Sequence, residues 1–523
     1  MTAERFETGS GRPISRRGFI RGAGVAGAAG LVAAEVGVPG AYGEAALIQS
    51  PQRFGRMFGS LPAFCPATDK MRSALLQMGA PGGILDAKDN LSAGPVRLIT
   101  DPSLSVNNPD NPQQTAGTTF FGQFLDHDIT FDRSSTLGQS ADPQATTNLR
   151  TPSFDLDPVY GAGPTASGQL YDDADQAKLK VGFGGHFEDL PRDASGRAVI
   201  GDPRNDENLV IAGLHAAFLL LHNRVVDLVR DQQPGISPAA AFAAARQSVT
   251  WHYHWLILRE FLPLIVGPAL VTNILTNGRR YYLPPVGQAF MPIEFSAAAY
   301  RFGHSMVRPS YRANLAGNAD GSAFFGFIFD PGQEGLTDPA DLRGGARAPR
   351  RFVGWQTFFD FGDGQVKHNK RIDTHISTPL FHLPLGAIAT GDPPQSLPQR
   401  NLLRQMTWSM PTGQDVARTI GAPVLKEQDF TELKQFTADF QARTPLWYYV
   451  LKEAELLSNG LCLGPVGGRI VAEVIIGLLQ LDPAGYLQQQ PSWQPTLPSA
   501  TPGTWRITDL LRFAQVGPAS RGQ

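Results

Sequence analysis

The sequence predicts a mainly α fold: one large helical domain with long ordered loops and little β-structure. Three observations carry this reading. Apolar residues recur at three- and four-residue steps in several separate stretches. No run alternates apolar and polar residues for long enough to build a sheet. Pro and Gly are abundant, at 42 and 56 of 523 residues, yet stay below the level of a disordered chain. With 42% hydrophobic and 18% charged residues the chain can bury a sizeable core. A net charge of −2, with no basic block after the first 25 residues, argues against nucleic acid as a partner. Two cysteines, Cys65 and Cys462, exclude a disulfide-dense scaffold and a Cys-based zinc site, and leave open whether they pair.

The first residues read as an address. Ser15-Arg16-Arg17-Gly18-Phe19-Ile20 is a twin-arginine pattern, and the Ala/Gly/Val run behind it (residues 22–34) is too short and weakly apolar for a stable membrane span. Residues 1–46 are thus expected to be a signal peptide and cleavage region, with export to the periplasm or beyond by the twin-arginine route. Residues 47–106 read as a loop-rich segment wrapping the main domain, which occupies residues 107–523. The turn cluster Asn107-Asn108-Pro109-Asp110-Asn111-Pro112 leads into it.

The central stretch runs from Phe120 to Asp132. Phe120, Phe121, Phe124, Leu125 and Ile129 mark a short, well-packed helix. On it Gln123 and His127 share a face, and Asp126 and Asp128 flank that face at about 100° on either side. So many polar groups on a buried helix each need a partner, which marks a site. Farther on, Thr151, Ser153, Asp155 and Asp157 occupy alternate positions, which an extended segment would place on one side. Converging hard oxygens suit calcium, which takes about 6–8 of them, although a solvated Asp-rich turn accounts for these residues equally well.

Residues 201–230 hold the clearest helix, with Leu214, Phe218, Leu221, Val225 and Leu228 forming a continuous apolar stripe. Asn205 or Asp206 is placed to cap it, and Arg204 and Glu207, three apart, can face one cavity. His215 and His222 read as core or cap histidines, and His252 and His254, in the helical region 240–271, as structural. A helix over residues 293–307 carries Arg301-Phe302-Gly303-His304; Gly303 makes sense there if something bulky approaches the backbone. Residues 330–370 read as long surface loops. His186, His368, His375 and His382 sit in loop-like sequence and take no chemical role. Asn401-Leu402-Leu403-Arg404 opens another helix; apolar helices follow at 444–457 and 466–479, and a short one at 507–513.

His127 and His304 stand apart, each in a helix beside a neighbour that needs explaining. Together the motifs resemble the animal-type haem peroxidase superfamily (the peroxidase–cyclooxygenase superfamily, of the myeloperoxidase and peroxinectin type), in motif order over residues 107–479, and specifically its secreted bacterial members. The resemblance implies a single haem peroxidase domain with two cofactors, haem iron and calcium. It implies that His127 is the distal acid–base, Gln123 its cavity companion and Arg204 the distal arginine. Arg301 and His304 match the proximal motif, with His304 as the iron ligand and Asn401 bonded to its imidazole; the sequence just after Arg404 departs from the usual pattern. Asp128, Thr151, Ser153 (by its carbonyl), Asp155 and Asp157 match the calcium site, with Asp157 where myeloperoxidase has a serine. Asp126 and Glu207 match carboxylates that form ester bonds to haem in mammalian members, so the haem is either ester-linked or plain haem b. Asn208 stands where myeloperoxidase has the methionine of a sulfonium link, so that link should be absent.

The function so implied is reduction of hydrogen peroxide with oxidation of a small donor, halide, thiocyanate or phenolic, through an oxoferryl state. Two alternatives share the fold. One is a fatty-acid dioxygenase, whose radical-forming tyrosine would lie three residues before the proximal histidine, where this chain has Arg301 and Tyr300 is one step further. The other is a secreted adhesion or matrix protein. A calcium-stabilised helical binding protein without haem is a third reading.

Overall fold

The computed structural model describes residues 53–285, 287–388, 391–437 and 439–522. The twin-arginine pattern and the expected cleavage region lie outside these residues. The mainly α fold is as expected. Its β-structure, among the described residues, is four two-stranded ladders: Phe54–Gly55 parallel to Met291–Pro292, and antiparallel pairs joining Asp110–Thr115 to His368–Lys370, Gly182–Phe183 to Glu188–Asp189 and Ser310–Arg312 to Phe325–Phe327.

Helix α1, Ala116–Ile129, lies at the centre with eleven of its fourteen residues buried. Thr115 makes no side-chain cap, so the first amides of α1 find partners elsewhere, as a buried helix end requires. Ala116 N–H donates to the Lys367 carbonyl (2.7 Å) and Gly117 N–H to that of Phe358 (2.8 Å). Gly117 is needed for this approach, because a Cβ there would sit 2.4 Å from the Phe359 ring. At the other end Asn148 clamps the exit, donating to the Ile129 carbonyl (2.9 Å) and accepting from Phe131 N–H (2.7 Å).

Helix α2, Leu209–Gln232, packs on α1 with Phe124 stacked on Phe218 at 4.7 Å. It starts later than the expected residue 201, and its cap is Asn208, whose side chain accepts from Val210 and Ile211 N–H, rather than Asn205 or Asp206. Residues 203–206 form a separate 3-10 turn capped by Asp202, which frees Asn205 for other work. Among the described residues α2 alone is long and apolar enough to cross a membrane, and it is a core helix with most of that stretch buried. Helix α3, Pro238–Leu256, pairs with it and runs into a π-helical segment, Ile257–Phe261. His222 is satisfied by Tyr160 and the Ala177 carbonyl, and His252 and His254 by backbone groups, in keeping with structural roles.

Two expectations need correction. Residues 293–307 are not one helix: a turn at Ile293–Ser296 is broken at Ala298 (φ −133°, ψ −77°), followed by a 3-10 turn, Ala299–Phe302, and then α4, Gly303–Met306. Tertiary hydrogen bonds replace the helical ladder here, with Trp447 Nε1 donating to the Arg301 carbonyl (3.2 Å) and Tyr300 reaching the Gly122 carbonyl (3.2 Å). Nor is 330–370 a surface loop throughout. Phe352, Val353, Trp355, Phe358 and Phe359 are core residues, and polar side chains bury the backbone without leaving it unpaired. Asn314, for example, donates to the carbonyls of Arg350 and Phe352, both at 2.9 Å.

Helices α5 (Leu397–Thr407), α6 (Leu446–Ser458) and α7 (Pro465–Leu481) complete the core. Cys65 and Cys462 are both free thiols. Along the buried α7, Glu473 is fully buried and accepts the successive backbone amides of Arg280, Tyr281 and Tyr282. Glu473→Ala leaves the buried Tyr282 amide without its acceptor and is expected to destabilise the protein by about 1–3 kcal/mol, the cost of one buried unsatisfied group. Denaturant titration checks this; an unchanged midpoint would contradict the role.

Candidate active site

A cavity of about 260 Å³ separates α1 from the 300–304 segment, with His127 on one wall and His304 on the other. Gln123, Asp126, Arg204, Glu207, Arg301 and Arg404 also line it. Asn401 and Asp128 are not in the wall: Asn401 bonds to His304 from behind, and Asp128 follows His127 in the chain. Gly303 has open space where a Cβ would go, so the backbone beside His304 is uncovered.

Each histidine is held by an asparagine on its Nδ1. Asn205 Oδ1 lies 2.8 Å from His127 Nδ1 and is an acceptor, so Nδ1 carries the proton and Nε2 keeps its lone pair. The Asn205 amide is itself oriented by His215, with Nδ2 at 3.0 Å from His215 Nδ1. Burial, and after it the Arg204 cation, push the His127 pKa down to about 3, so the ring is neutral. Asn401 Nδ2 lies 2.7 Å from His304 Nδ1, and its Oδ1 has no partner. Turning that amide over lets Oδ1 accept Nδ1–H, which leaves His304 Nε2 as a free donor atom towards the cavity. Burial, then Arg301 and Arg404, hold the His304 pKa at about 3.

Arg204 is tightly fixed. Asp202, fully buried, takes Arg204 Nε at 3.1 Å and Nη2 at 2.7 Å, and also accepts the Arg204 backbone amide. Nη2 reaches the His127 carbonyl (3.1 Å), and the guanidinium sits 4.1 Å above the Phe131 ring. Burial raises the Asp202 pKa, but Arg204 more than offsets it and holds the group at about 2. On the other side Gln123 donates to Glu207 (3.1 Å) and accepts from Asn208 (3.1 Å). Glu207 Oε2 lies 3.9 Å from His127 Nε2; burial raises the Glu207 pKa to about 8, so with the ring neutral the two do not form an ion pair. Asp126 lies 3.9 Å from Arg204, its pKa raised by burial against the nearby arginines.

Arg301 and Arg404 lie half-buried on the His304 side, and the buried Nε of each lacks a partner among the described residues. Burial, and then Arg301, lower the Arg404 pKa to about 9. Clustered cations of this kind call for an anionic ligand. A planar dianionic macrocycle such as haem, with a metal for His304 Nε2, fits this donor set.

Asp128, fully buried, turns away from the cavity. Its Oδ2 accepts from Tyr253 (3.1 Å) and its Oδ1 has no partner. Oxygens of Asp128, Asp155 and Asp157 lie within 4.8 Å of one another, and burial and mutual repulsion raise the Asp128 pKa. A divalent cation with oxygen preference fits. The segment is not the extended strand expected from its alternation: bends and the left-handed Leu156 (φ 59°) bring the two carboxylates round, and Asp157 starts a short helix. Thr151 and Ser153 lie half-buried on the preceding turn, where Ser153 N–H donates to the Thr151 carbonyl (2.8 Å). Asp202, Arg404 and Tyr253 were not singled out from sequence; of these Asp202 alone had a local signal, an Asp-Pro cap before Arg204.

The animal haem peroxidase family model matches residues 131–323. That span holds the second and third carboxylates of the cluster, Arg204, Glu207 and His304, while His127 and Asn401 fall outside it. Among curated proteins the chain is 28% identical over 174 residues to chorion peroxidase of Drosophila melanogaster (29% of this chain, 21% of that protein). It is 25% identical over 238 residues to thyroid peroxidase of Rattus norvegicus (40% of this chain, 25% of that protein). The matches thus span a quarter or less of these relatives' length. Among solved structures, peroxidase A from Dictyostelium discoideum aligns with a TM-score of 0.56 at 15% identity, over 77% of this chain and 85% of that one. A fatty acid alpha-dioxygenase from Oryza sativa aligns at 0.53 and 14%, over 72% and 70%; these two similarities concern the fold.

Asp202→Ala removes the two-point carboxylate partner of the buried Arg204 guanidinium, and with it the 3.0 Å partner of Arg150 Nε, which is expected to destabilise the protein by about 3–5 kcal/mol. Asp202→Asn, which keeps an acceptor, should lose less. Denaturation of the two variants side by side checks this, and equal losses would show that the Asp202 charge, and not a hydrogen-bond acceptor alone, holds Arg204.

Proposed function

The chain belongs to the animal haem peroxidase superfamily, and from that membership we propose that it is a haem-dependent peroxidase, reducing hydrogen peroxide and oxidising a small donor. The observation that carries this reading is the pair His127 and His304, facing one cavity with each Nδ1 bound by an asparagine. His304 Nε2 would ligate the iron, and Arg301 and Arg404 would meet the carboxylates of the macrocycle. Haem held there would supply the two electrons needed to cleave the peroxide O–O bond, one from the iron and one from the macrocycle. His127 Nε2 takes the proton from one peroxide oxygen and returns it to the other, which leaves as water. Arg204, held by Asp202, needs no proton change to stabilise the negative charge on that leaving oxygen. Gln123, bonded to Glu207 and Asn208, shapes the wall beside His127.

Asp126 and Glu207 both line the cavity, which supports ester links to the haem edge. Asn208 is engaged as a helix cap and offers no sulfur, which supports the absence of a sulfonium link. Calcium would be held by Asp128, Asp155 and Asp157, with Thr151 and the Ser153 carbonyl completing the shell; the orphaned Asp128 Oδ1 is the strongest support. The twin-arginine pattern supports export. Against the dioxygenase alternative, the Tyr300 hydroxyl lines the cavity but is tied to the Gly122 carbonyl.

His127→Ala is expected to retain the Soret band and lose about 10²–10⁴-fold in peroxide turnover, while His304→Ala should lose the band itself. A His304→Ala protein with an unaltered haem spectrum would sink the ligand assignment, and peroxide-independent oxygen uptake with linoleate would favour the dioxygenase. After acid–ketone extraction, a Soret band that stays with the protein supports the esters; full extraction rejects them and leaves the peroxidase reading intact. Calcium at a hundredfold its dissociation constant should stabilise the protein by about 2.7 kcal/mol, an increment that EGTA removes and Asp128→Ala never shows. A melting curve indifferent to EGTA would remove calcium from the scheme.

A further inference from the structure

A second cavity, of about 180 Å³, lies beside the N-terminal half of α1. Thr118 and Phe261 belong to its wall and also to that of the large cavity, so a single layer of side chains divides the two. Phe121, Phe261 and Phe359 give it three aromatic walls. Phe261 ends the π-helical segment 257–261, a departure from α-helical geometry of the kind found at functional sites. Glu260, next to it, also lines the second cavity. Its Oε2 accepts the Ile507 backbone amide (2.8 Å), and among the described residues Oε1 has no donor. Burial raises the Glu260 pKa to about 7, with Arg506 acting against it and Asp509 with it.

Size and chemistry restrict the occupant. An engineered cavity of about 150 Å³ accommodates benzene, so one aromatic ring fits here and a long acyl chain does not. Two carboxylates, Glu260 and Asp360, face a single cation, Arg506, which disfavours halide, thiocyanate and carboxylate ligands. A neutral ring with a hydroxyl donor matches the aromatic walls and the free Oε1.

We propose that this second cavity binds the reducing substrate, a single-ring phenol whose hydroxyl donates to Glu260 and whose ring lies against Phe261. The inference rests on the peroxidase reading and names the donor class for it. In each turnover two phenols give up one electron apiece, across the Phe261 wall, to the oxidising equivalents that hydrogen peroxide leaves at the haem. Each phenolic proton passes to Glu260 and on to solvent, and solvent returns two protons to the oxygen left from peroxide, which leaves as the second water. The peroxide becomes two waters and the phenols two phenoxyl radicals, so atoms and electrons balance.

The test is equilibrium binding of 4-methylphenol to the ferric holoprotein without peroxide, by calorimetry, with cyanide binding at the iron measured in parallel. Leu264, partly exposed on the cavity rim, provides a blocking variant, Leu264→Trp, outside the catalytic group. It is expected to weaken 4-methylphenol binding by about tenfold or more, and Glu260→Gln by roughly threefold to tenfold, with the Soret band and cyanide affinity unchanged in both. Undiminished binding to Leu264→Trp, no binding to the wild type, or displacement of the phenol by cyanide would each overturn the second site while leaving the peroxidase reading in place. A wild type with no Soret band and no cyanide binding would instead remove that reading and this inference with it.

Discussion

The rest of the site depends on the 100° step between neighbouring residues of α1. Asp126, His127 and Asp128 are consecutive, so they must point three ways: to the arginines of the large cavity, to its centre, and to the carboxylate cluster beyond. None can shift without turning the others. The clamps at the helix ends are therefore part of the site. The 358–367 backbone receives the first amides of α1, Asn148 holds the last turn, and Gly117 lets Phe359 close against it.

Electrostatics divide the cavity into two unlike halves. Around His127 the charges are matched: Arg204 is bound by Asp202 in a two-point contact, and Glu207 is placed by Gln123. Around His304 they are not, because Arg301 and Arg404, both half-buried, share a space with unpartnered nitrogens. A matched half is a preorganised environment for moving a proton and stabilising a transient anion. An excess of cationic groups favours a bound anion, which is why the proposed function assigns cofactor binding to the His304 side. The two asparagines then do equivalent jobs, each fixing a tautomer and directing the other ring nitrogen inward.

Much of this was legible in the sequence, for local reasons. Gln123, Asp126, His127 and Asp128 lie on one continuous helix, so their relative directions follow from spacing alone. Arg204 with Glu207, and Arg301 with His304, are likewise close pairs within short segments. What could not be read depends on distant partners. The break at Ala298 comes with contacts from Trp447 and Tyr300, and the burial of residues 352–359 relies on Asn314 and on aromatic packing hidden among Gly, Pro and charge. Asn205 appeared as one of two possible caps because its real partner, His127, is 78 residues away. The carboxylates at 155 and 157 converge by a left-handed residue, which alternation of side chains does not anticipate.

The shared segment also bears on how the two adjoining sites influence each other. Asp128 and His127 are joined by one peptide bond, and Tyr253 links Asp128 to α3. An empty carboxylate cluster is repulsive, and the nearest relief is for Asp128 to turn away or take a proton. A cation among the three carboxylates removes that drive. Under the proposed function, such a cation would act on the chemistry only by keeping Asp128, and so the neighbouring His127, in place beside Asn205 and Arg204. The second cavity is coupled through the opposite end of the same helix, because Thr118 lies in its wall as well as in that of the large cavity.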